Sequence, residues 1–135
     1  MWLFDLDGTL CLKGDRDPFD WDHVGEDHPN IPVVKAARAL LRGGHELGFI
    51  SGRKERCRRQ SLMWLMHHLV LADVPLLWMR PDDDDRPDEI VKREIYENYI
   101  EPYHEIDAVF DDRDKVVRMW REIGLTCFQV ADGNF

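Results

Sequence analysis

Cysteine is scarce in this sequence, and long apolar runs are missing. The three cysteines, Cys11, Cys57 and Cys127, are odd in number and include no CxxC pair, so they provide neither a disulfide framework nor a zinc site. The longest nearly unbroken apolar stretch, 62–72, contains two histidines and is far shorter than the roughly 18 residues of a membrane span. No basic leader precedes the acidic residue at position 5. We therefore expect a reduced, cytoplasmic protein with no membrane association.

Basic residues are also in the minority. Lys and Arg total 18 against 27 Asp and Glu, which gives a formal net charge of −9. This composition argues against a protein that coats long nucleic acid, because such binding depends on many contacts between basic side chains and phosphates. Binding of one terminal phosphate stays open, because screening over about 8 Å lets a local basic pocket act independently of distant acidic residues. The net charge therefore argues against a large contact area with nucleic acid, but it does not identify the ligand.

Short apolar runs alternate with helical faces along the 135 residues, a length that fits one domain. The pattern predicts strands at 2–4, 47–50, 74–79, 107–110 and 127–130, and helical faces at 33–41, 62–69, 90–99 and 116–123. Five strands alternating with four helices predict an α/β fold with a doubly wound, mainly parallel five-stranded sheet. Ligands of such sheets bind beyond the carboxyl ends of the strands, so the residues that follow strands are the candidates for a site.

Two carboxylates follow the first strand, in Asp5-Leu6-Asp7-Gly8-Thr9. Gly8 permits a tight turn, and Thr9 offers a hydroxyl and a backbone NH to an anion. Because carboxylates alone repel a phosphate, a cation must intervene, and Mg²⁺ held by one or two carboxylates meets this requirement. One aspartate can then act as a nucleophile while its neighbour transfers protons. The alternative interpretation of the bare tetrapeptide at 5–8 is a simple turn.

A second polar motif, Ser51-Gly52-Arg53, follows the second predicted strand. It supplies a hydroxyl, a flexible backbone and a guanidinium group, and we expect it to open onto a helix N-terminus that favours phosphate. Taken alone it is also consistent with a plain turn. The basic cluster that follows is either a solvated helix face or a surface that steers a nucleic-acid strand; it comprises Lys54, Arg56, Arg58 and Arg59.

Further acids and a lysine follow later strands. Asp88 and Lys92 are four residues apart, so on a helix they share a face, as a functional pair or as an ordinary surface pair. Asp111 and Asp112 are adjacent carboxylates directly after a strand. A helix cap accounts for one of them, whereas the pair points to a metal.

Two connections are unusual. Residues 11–31 separate the first strand from the first helix without periodicity, and long connections of this kind are usually functional or disordered. Residues 80–88 form an acidic loop bounded by prolines. Its run Asp82–Asp85 is either a solvated loop or a second cation site.

The sequences DLDGTL, ISGR and DDR, together with a lysine on the third helix, resemble the four motifs of the haloacid dehalogenase (HAD) superfamily of phosphohydrolases. The segments 16–20, 88–92 and 111–135 further resemble the 3′-phosphatase domain of the T-even bacteriophage polynucleotide kinase-phosphatase type. The resemblance covers nearly the whole chain and is closest at 1–20, 47–53 and 88–135.

This resemblance implies the chemical roles in the site. Asp5 would be the nucleophile, and Asp7 would be the general acid–base. Mg²⁺ would be held by the Asp5 side chain, the Asp7 backbone carbonyl and one of the pair Asp111 and Asp112. Lys92 would bind the phosphate and stabilise the aspartyl-phosphate.

The resemblance also implies which residues contact the substrate. Arg16 and Arg53 match arginines that are important for catalysis in the family. The positions that it assigns to phosphate or substrate binding are Thr9, Ser51, Gly52, Asp27, Asp88 and Arg113. Residues 11–31 would then form a flap that carries Arg16 over the site.

The resemblance therefore implies a Mg²⁺-dependent polynucleotide 3′-phosphatase that acts on DNA or RNA ends, and on 2′,3′-cyclic phosphates, in nucleic-acid repair. One alternative is a HAD phosphatase for a small nucleotide or metabolite, and another is a catalytically inactive HAD-like interaction domain. A homo-oligomer and a separate kinase or ligase partner are further expectations. The motif GxxxxGK[ST] does not occur, so we expect a single domain at 1–135 without 5′-kinase activity.

Overall fold

The central sheet is built from strands that are widely separated in the sequence. The computed structural model describes all 135 residues. Its strands are β1 (Trp2–Phe4), β2 (Cys11–Leu12), β3 (His28–Pro29), β4 (Leu47–Lys54), β5 (Leu76–Arg80), β6 (Ala108–Asp111) and β7 (Cys127–Gln129). Its α-helices are α1 (Ile31–Arg42), α2 (Arg58–Leu69), α3 (Asp88–Ile95) and α4 (Asp114–Glu122).

The main sheet has five strands in the order β5-β4-β1-β6-β7, and all of its pairings are parallel. The short strand β1 lies at its centre, with Phe4 in register with Phe49 of β4 and Phe110 of β6. This arrangement confirms the predicted α/β fold with a doubly wound parallel sheet. It also brings the residues that follow β1, β4 and β6 to one edge.

Helices cover both faces of the sheet, and each face has its own apolar core. On one face α1 and α2 pack against the sheet through residues such as Val34 and Trp64, which are at most 3% exposed. On the other face α3 and α4 pack through residues such as Val91 and Trp120. Neighbouring residues of one strand, such as Leu3 and Phe4, belong to opposite cores because side chains alternate along a strand.

The segment 11–31 contains short elements of its own. Strands β2 and β3 form an antiparallel ribbon, in which Cys11 is paired with Pro29. A 3₁₀ helix, Trp21–Glu26, lies between them and buries Val24 completely. The aperiodic connection is therefore folded onto the body, because Cys11 and Val24 are fully buried in the core.

Several predicted boundaries differ from the structure. The motif at 51–53 does not open onto an α-helix: β4 continues to Lys54 beside β5, and a 3₁₀ turn, Glu55–Cys57, precedes α2. The third helix ends as an α-helix at Ile95 and continues as a π-turn over Tyr96–Ile100. Strand β5 begins at Leu76, two residues later than predicted. No helix combines the length and the apolar composition that crossing a membrane requires.

Candidate active site

Three buried carboxylates meet at the carboxyl edge of the sheet. Asp5 directly follows β1 and Asp111 ends the neighbouring strand β6, and the Asp5 NH donates to the Phe110 carbonyl at 2.9 Å. Each of Asp5, Asp111 and Asp112 places a carboxylate oxygen within 4.8 Å of the others, and none is more than 5% exposed. The pairing of β1 with β6 therefore creates the acidic cluster.

Lys92 is the cation inside this cluster. Its Nζ donates to Asp5 Oδ1 at 2.8 Å and to Asp111 Oδ2 at 2.9 Å. Thr9 Oγ1 donates to the other Asp5 oxygen at 3.0 Å. Lys92 reaches the cluster from α3, four residues after the helix begins at Asp88. Both oxygens of Asp5 are thereby held in fixed directions.

Burial and neighbouring charges shift the pKa values of the ionisable groups in this cluster. Burial raises the pKa of Asp5 well above its ordinary value, Lys92 opposes this, and the two neighbouring carboxylates raise the pKa further. Burial and the Asp111 carboxylate raise the pKa of Asp112 to about 6. Burial alone would lower the pKa of Lys92, but Asp111 and Asp5 hold it well above its ordinary value.

A divalent cation fits this arrangement. Three carboxylates and one ammonium leave a formal charge of −2 in a buried place, and hard divalent cations prefer carboxylate oxygens. Asp5, Asp111 and Asp112 are therefore the residues that could hold such a cation. The sequence did not distinguish between the two acids at 111 and 112, and the structure places both in the cluster.

A second network surrounds Asp7. Arg53 holds Asp7 through two bonds, from Nη2 at 2.8 Å and from Nε at 3.0 Å. The same guanidinium group donates to Asp27 Oδ2 at 2.8 Å, and Arg16 holds Asp27 from the other side at 2.7 and 3.0 Å. Burial opposes the charge of Arg53, but Asp7 raises its pKa. The Asp7 side chain is 45% exposed, so Arg53 orients it while it still faces the cleft.

Asp88 is also bound by arginines. Arg80 donates to Asp88 and also to the Gly52 carbonyl at 2.9 Å, and Arg113 donates to Asp88 Oδ2 at 3.3 Å. Burial would raise the pKa of Asp88, but Lys92 and Arg80 lower it. A Cβ atom at Gly52 would lie 2.3 Å from Asp88 Oδ1, so only glycine allows this close contact.

Two other glycines allow the loops to close around the acids. Gly8 has a φ of +82°, and a Cβ atom there would lie 2.2 Å from Asp112 Oδ2. A Cβ atom at Gly133 would lie 2.0 Å from the Asp112 carbonyl oxygen. The segment after β7 therefore packs directly against the backbone that carries the acidic pair.

The predicted site residues separate into two groups around a cleft of about 400 Å³. The cleft is lined by Asp5, Asp7, Gly52, Arg53, Asp88, Lys92, Asp111, Asp112 and Arg113. The predicted residues that do not line it are Thr9, Arg16, Asp27 and Ser51. Ser51 is fully buried, and its hydroxyl accepts the Arg53 NH at 3.1 Å. Asp27 and Arg16 reach the site only through Arg53 and Asp7.

Sequence reasoning missed several residues of the cleft. Arg80 ends β5, so the rule that ligands bind beyond strand ends could have identified it. Lys54 is only 8% exposed, and its ammonium group donates to the carbonyls of Asp82 at 2.9 Å and Asp84 at 3.1 Å and to the Asp85 side chain. It therefore anchors the acidic loop instead of belonging to an open basic face. The other missed lining residues are Pro18, Phe19, Trp21, Asp85, Arg86 and Phe135.

Comparisons with known proteins agree over the whole chain. A family model described as the polynucleotide kinase PNKP phosphatase domain matches residues 1–135. A protein of Autographa californica nuclear polyhedrosis virus, described as a bifunctional polynucleotide kinase/RNA ligase, is 35% identical over 133 residues. That match covers 96% of this chain and 19% of the viral protein, so this chain spans about a fifth of the relative's length.

Solved structures give the same result. Chains from two structures of a Pnkp1/Rnl/Hen1 complex, one of them described as an RNA repair complex, are 36% identical to this chain, with TM-scores of 0.92. Each match covers 99% of this chain, but only 46% and 43% of those chains. A class C acid phosphatase from Bacillus anthracis with tungstate bound is 16% identical with a TM-score of 0.54. Its match covers 82% of this chain and 50% of that chain and shows a shared fold alone.

Proposed function

Because this chain belongs to the family of polynucleotide kinase PNKP phosphatase domains, we propose that it removes the 3′-phosphate from DNA or RNA ends. The match over residues 1–135, together with the TM-score of 0.92, confirms the resemblance seen in the sequence. The prediction of a phosphoric monoester hydrolase is confirmed with it.

One observation carries the proposal. The carboxylate of Asp5 lies in a cleft at the edge of the sheet, and both of its oxygens are bound, one by Lys92 and the other by Thr9. A carboxylate that is fixed next to a cation and two further acids is suited to attack a phosphorus atom.

The first half of the reaction transfers the phosphoryl group to the protein. An oxygen of Asp5 attacks the phosphorus, and the bond from phosphorus to the 3′-oxygen breaks. Asp7 donates a proton to that leaving oxygen, and Arg53 holds Asp7 in the required direction. The products are a free 3′-hydroxyl end and a phosphorylated Asp5.

The second half regenerates Asp5. Asp7, now ionised, takes a proton from a water molecule, and the water oxygen attacks the phosphorus. The bond from phosphorus to Asp5 breaks, and inorganic phosphate leaves. Lys92 remains beside Asp5 throughout and stabilises the negative charge.

We further propose that Mg²⁺ is the resident cation. Asp5, Asp111 and Asp112 would hold it, together with the backbone carbonyl of Asp7. When bound, it supplies positive charge to the phosphate oxygens. The excess negative charge of the three buried acids supports this assignment.

The relatives support a role in nucleic-acid repair. The viral relative is described as a kinase/ligase, and the solved relatives come from a complex that contains Pnkp1, Rnl and Hen1. We propose that this phosphatase prepares nucleic-acid ends for separate kinase or ligase enzymes. We also propose that 2′,3′-cyclic phosphates are further substrates and that the protein acts in the cytoplasm. A homo-oligomer stays a prediction.

Phosphate release from 3′-phosphorylated DNA and RNA oligonucleotides, measured with and without Mg²⁺, tests the proposal. Asp5→Asn should abolish release while the protein stays folded, because it removes one of the mutually repelling acids. Asp73→Asn, at an exposed position outside the cleft, is the matched control and should retain full activity.

Other outcomes would favour the alternatives. Equal efficiency on a 3′-mononucleotide and on an oligonucleotide would favour a phosphatase for small nucleotides. No release from any substrate at saturating Mg²⁺ would favour an inactive interaction domain. Turnover by Asp5→Asn at the wild-type rate would refute the assignment of the nucleophile.

A further inference from the structure

Apart from Pro18, the apolar residues of the cleft wall are all aromatic. Besides charged residues, glycine and proline, the cleft is lined by Phe19, Trp21 and Phe135. None of these three residues has a role in the reaction proposed above. Phe19 is 79% exposed and Phe135 is 63% exposed, so both rings present much of their surface to solvent.

Phe19 projects from the segment that connects β1 to α1. Its ring meets the ring of Trp21 edge to face, with the centroids 6.3 Å apart. Its backbone NH donates to Asp17 Oδ1 at 2.8 Å. The ring is therefore supported by a half-buried tryptophan, and its 79% exposure leaves most of its surface open to solvent.

Phe135, at the opposite end of the sequence from Phe19, is held by Arg113. The guanidinium carbon of Arg113 lies 5.0 Å from the centre of the ring, and Arg113 Nε donates to the Phe135 carbonyl at 2.8 Å. Arg113 also donates to Asp88 at 3.3 Å, so this ring is tied to the polar site. One face of the ring stacks on a cation, and its 63% exposure leaves the other face available.

We propose that Phe19 and Phe135 stack on nucleobases at the 3′ end of a single-stranded polynucleotide while its terminal phosphate lies at Asp5. This inference rests on the proposed function and names the part of the substrate that the site recognises. Aromatic rings beside cationic side chains bind single strands with little sequence preference, because every base has a flat face. In a duplex those faces are already stacked on neighbouring bases.

The size and charge of the cleft fit this occupant. A volume of about 400 Å³ lies within the range of roughly 300–1,000 Å³ for small-molecule sites, so there is room for a nucleotide as well as its phosphate. The six acidic residues that line the cleft are matched by six basic ones, so the cleft carries no formal net charge that would repel the phosphate backbone. Two rings that line one cleft can each stack on a base, which allows contacts to more than one nucleotide. The site should therefore prefer oligonucleotides to mononucleotides.

A substrate that lacks bases provides the test. Phosphate release is measured on a single-stranded 3′-phosphorylated oligonucleotide and on the same oligonucleotide with abasic sites at its last two nucleotides. Phe19→Ala and Phe135→Ala should each lower kcat/KM on the normal oligonucleotide about fivefold or more, mainly through KM, since stacking on one ring is lost. On the abasic substrate the wild type should already show this loss, and the variants should add little to it.

Matched variants separate stacking from apolar packing. Tyr103→Ala removes a ring that is 75% exposed but outside the cleft, and it should change nothing. Phe19→Trp should retain the preference for bases, whereas Phe19→Leu should lose it. Anisotropy of a fluorescent 3′-phosphorylated oligonucleotide measures binding directly, and binding should weaken in both alanine variants.

The inference and the proposed function can fail separately. Absence of phosphate release from every oligonucleotide would overturn the proposed function, and binding would still report on the rings. Equal losses on normal and abasic substrates, full activity of Phe19→Leu, or unchanged binding by both alanine variants would overturn the stacking inference alone.

Discussion

Replacing Lys92 with methionine should strongly destabilise the protein in the absence of divalent cations. The ammonium group forms two ion pairs, at 2.8 Å to Asp5 and 2.9 Å to Asp111, and the three side chains are at most 6% exposed. Methionine fills a similar volume without charge, so the formal charge of the cluster changes from −2 to −3. Breaking a buried ion pair by removing one partner costs about 3–5 kcal/mol. That is a large part of the roughly 5–15 kcal/mol that stabilises a typical domain.

Urea unfolding in the presence of a chelator measures this loss. With a denaturant dependence of about 2 kcal/mol per M, the urea midpoint should fall by roughly 1.5–2.5 M. Saturating Mg²⁺ should recover part of the loss, because a cation that binds only the folded state adds about 2.7 kcal/mol at 100 times its Kd. The recovery should be greater for Lys92→Met than for the wild type.

Two further variants make the result decisive. Lys13→Met removes an exposed ammonium group whose hydrogen bond goes to the neighbouring Gly14 carbonyl, and it should leave the midpoint unchanged. Adding Asp111→Asn to Lys92→Met removes one uncompensated charge, so the double variant should be more stable than Lys92→Met alone. Wild-type stability of Lys92→Met without metal, or a double variant whose losses simply add, would refute the electrostatic account.

The other predictions concern the supports of the site. Gly133→Ala should lower the free energy of unfolding by about 1–3 kcal/mol and reduce phosphate release, because the new Cβ atom would displace the Asp112 carbonyl. Gly25→Ala is the control in thermal unfolding. Its Cβ atom meets only an ordinary contact at 3.6 Å, so it should leave the stability unchanged. Arg53→Lys should reduce kcat at least tenfold, because a single ammonium group cannot replace the planar fork that holds two carboxylates. Arg118→Lys, at an exposed position, is its control, and equal activity of the two variants would contradict the role given to the fork.

Much of the fold could be predicted because the apolar pattern is regular. The core side chains of α1 and α4 recur at helical spacing, and the strands are short apolar runs, so their order along the chain predicts the parallel sheet. The end of β4 could not be predicted in this way. Polar residues at 51–54 look like a loop in the sequence, but the neighbouring strand β5 continues beside them to Arg80 and extends the pairing.

The acids of the site could be predicted for the same reason. Asp5, Asp111 and Asp112 each stand at or just after the end of a strand, and strands that pair in parallel bring their ends together. The contacts between Arg53, Asp27 and Arg16 could not be derived from position, because they depend on how the 11–31 segment folds back. The aromatic residues of the cleft carry no periodic signal at all, and only the structure brings Phe19 and Phe135 to one place.

The central position of β1 has a consequence for how the protein matures during synthesis. Asp5 depends on Lys92, which is 87 residues further along the chain, and Thr9 depends on Asp112, at a separation of 103 residues. Contacts this distant in sequence form late, because a long loop must close first. A ribosome therefore has to release most of the chain before Asp5 acquires its neighbours, and a nascent chain stalled before β6 should be inert.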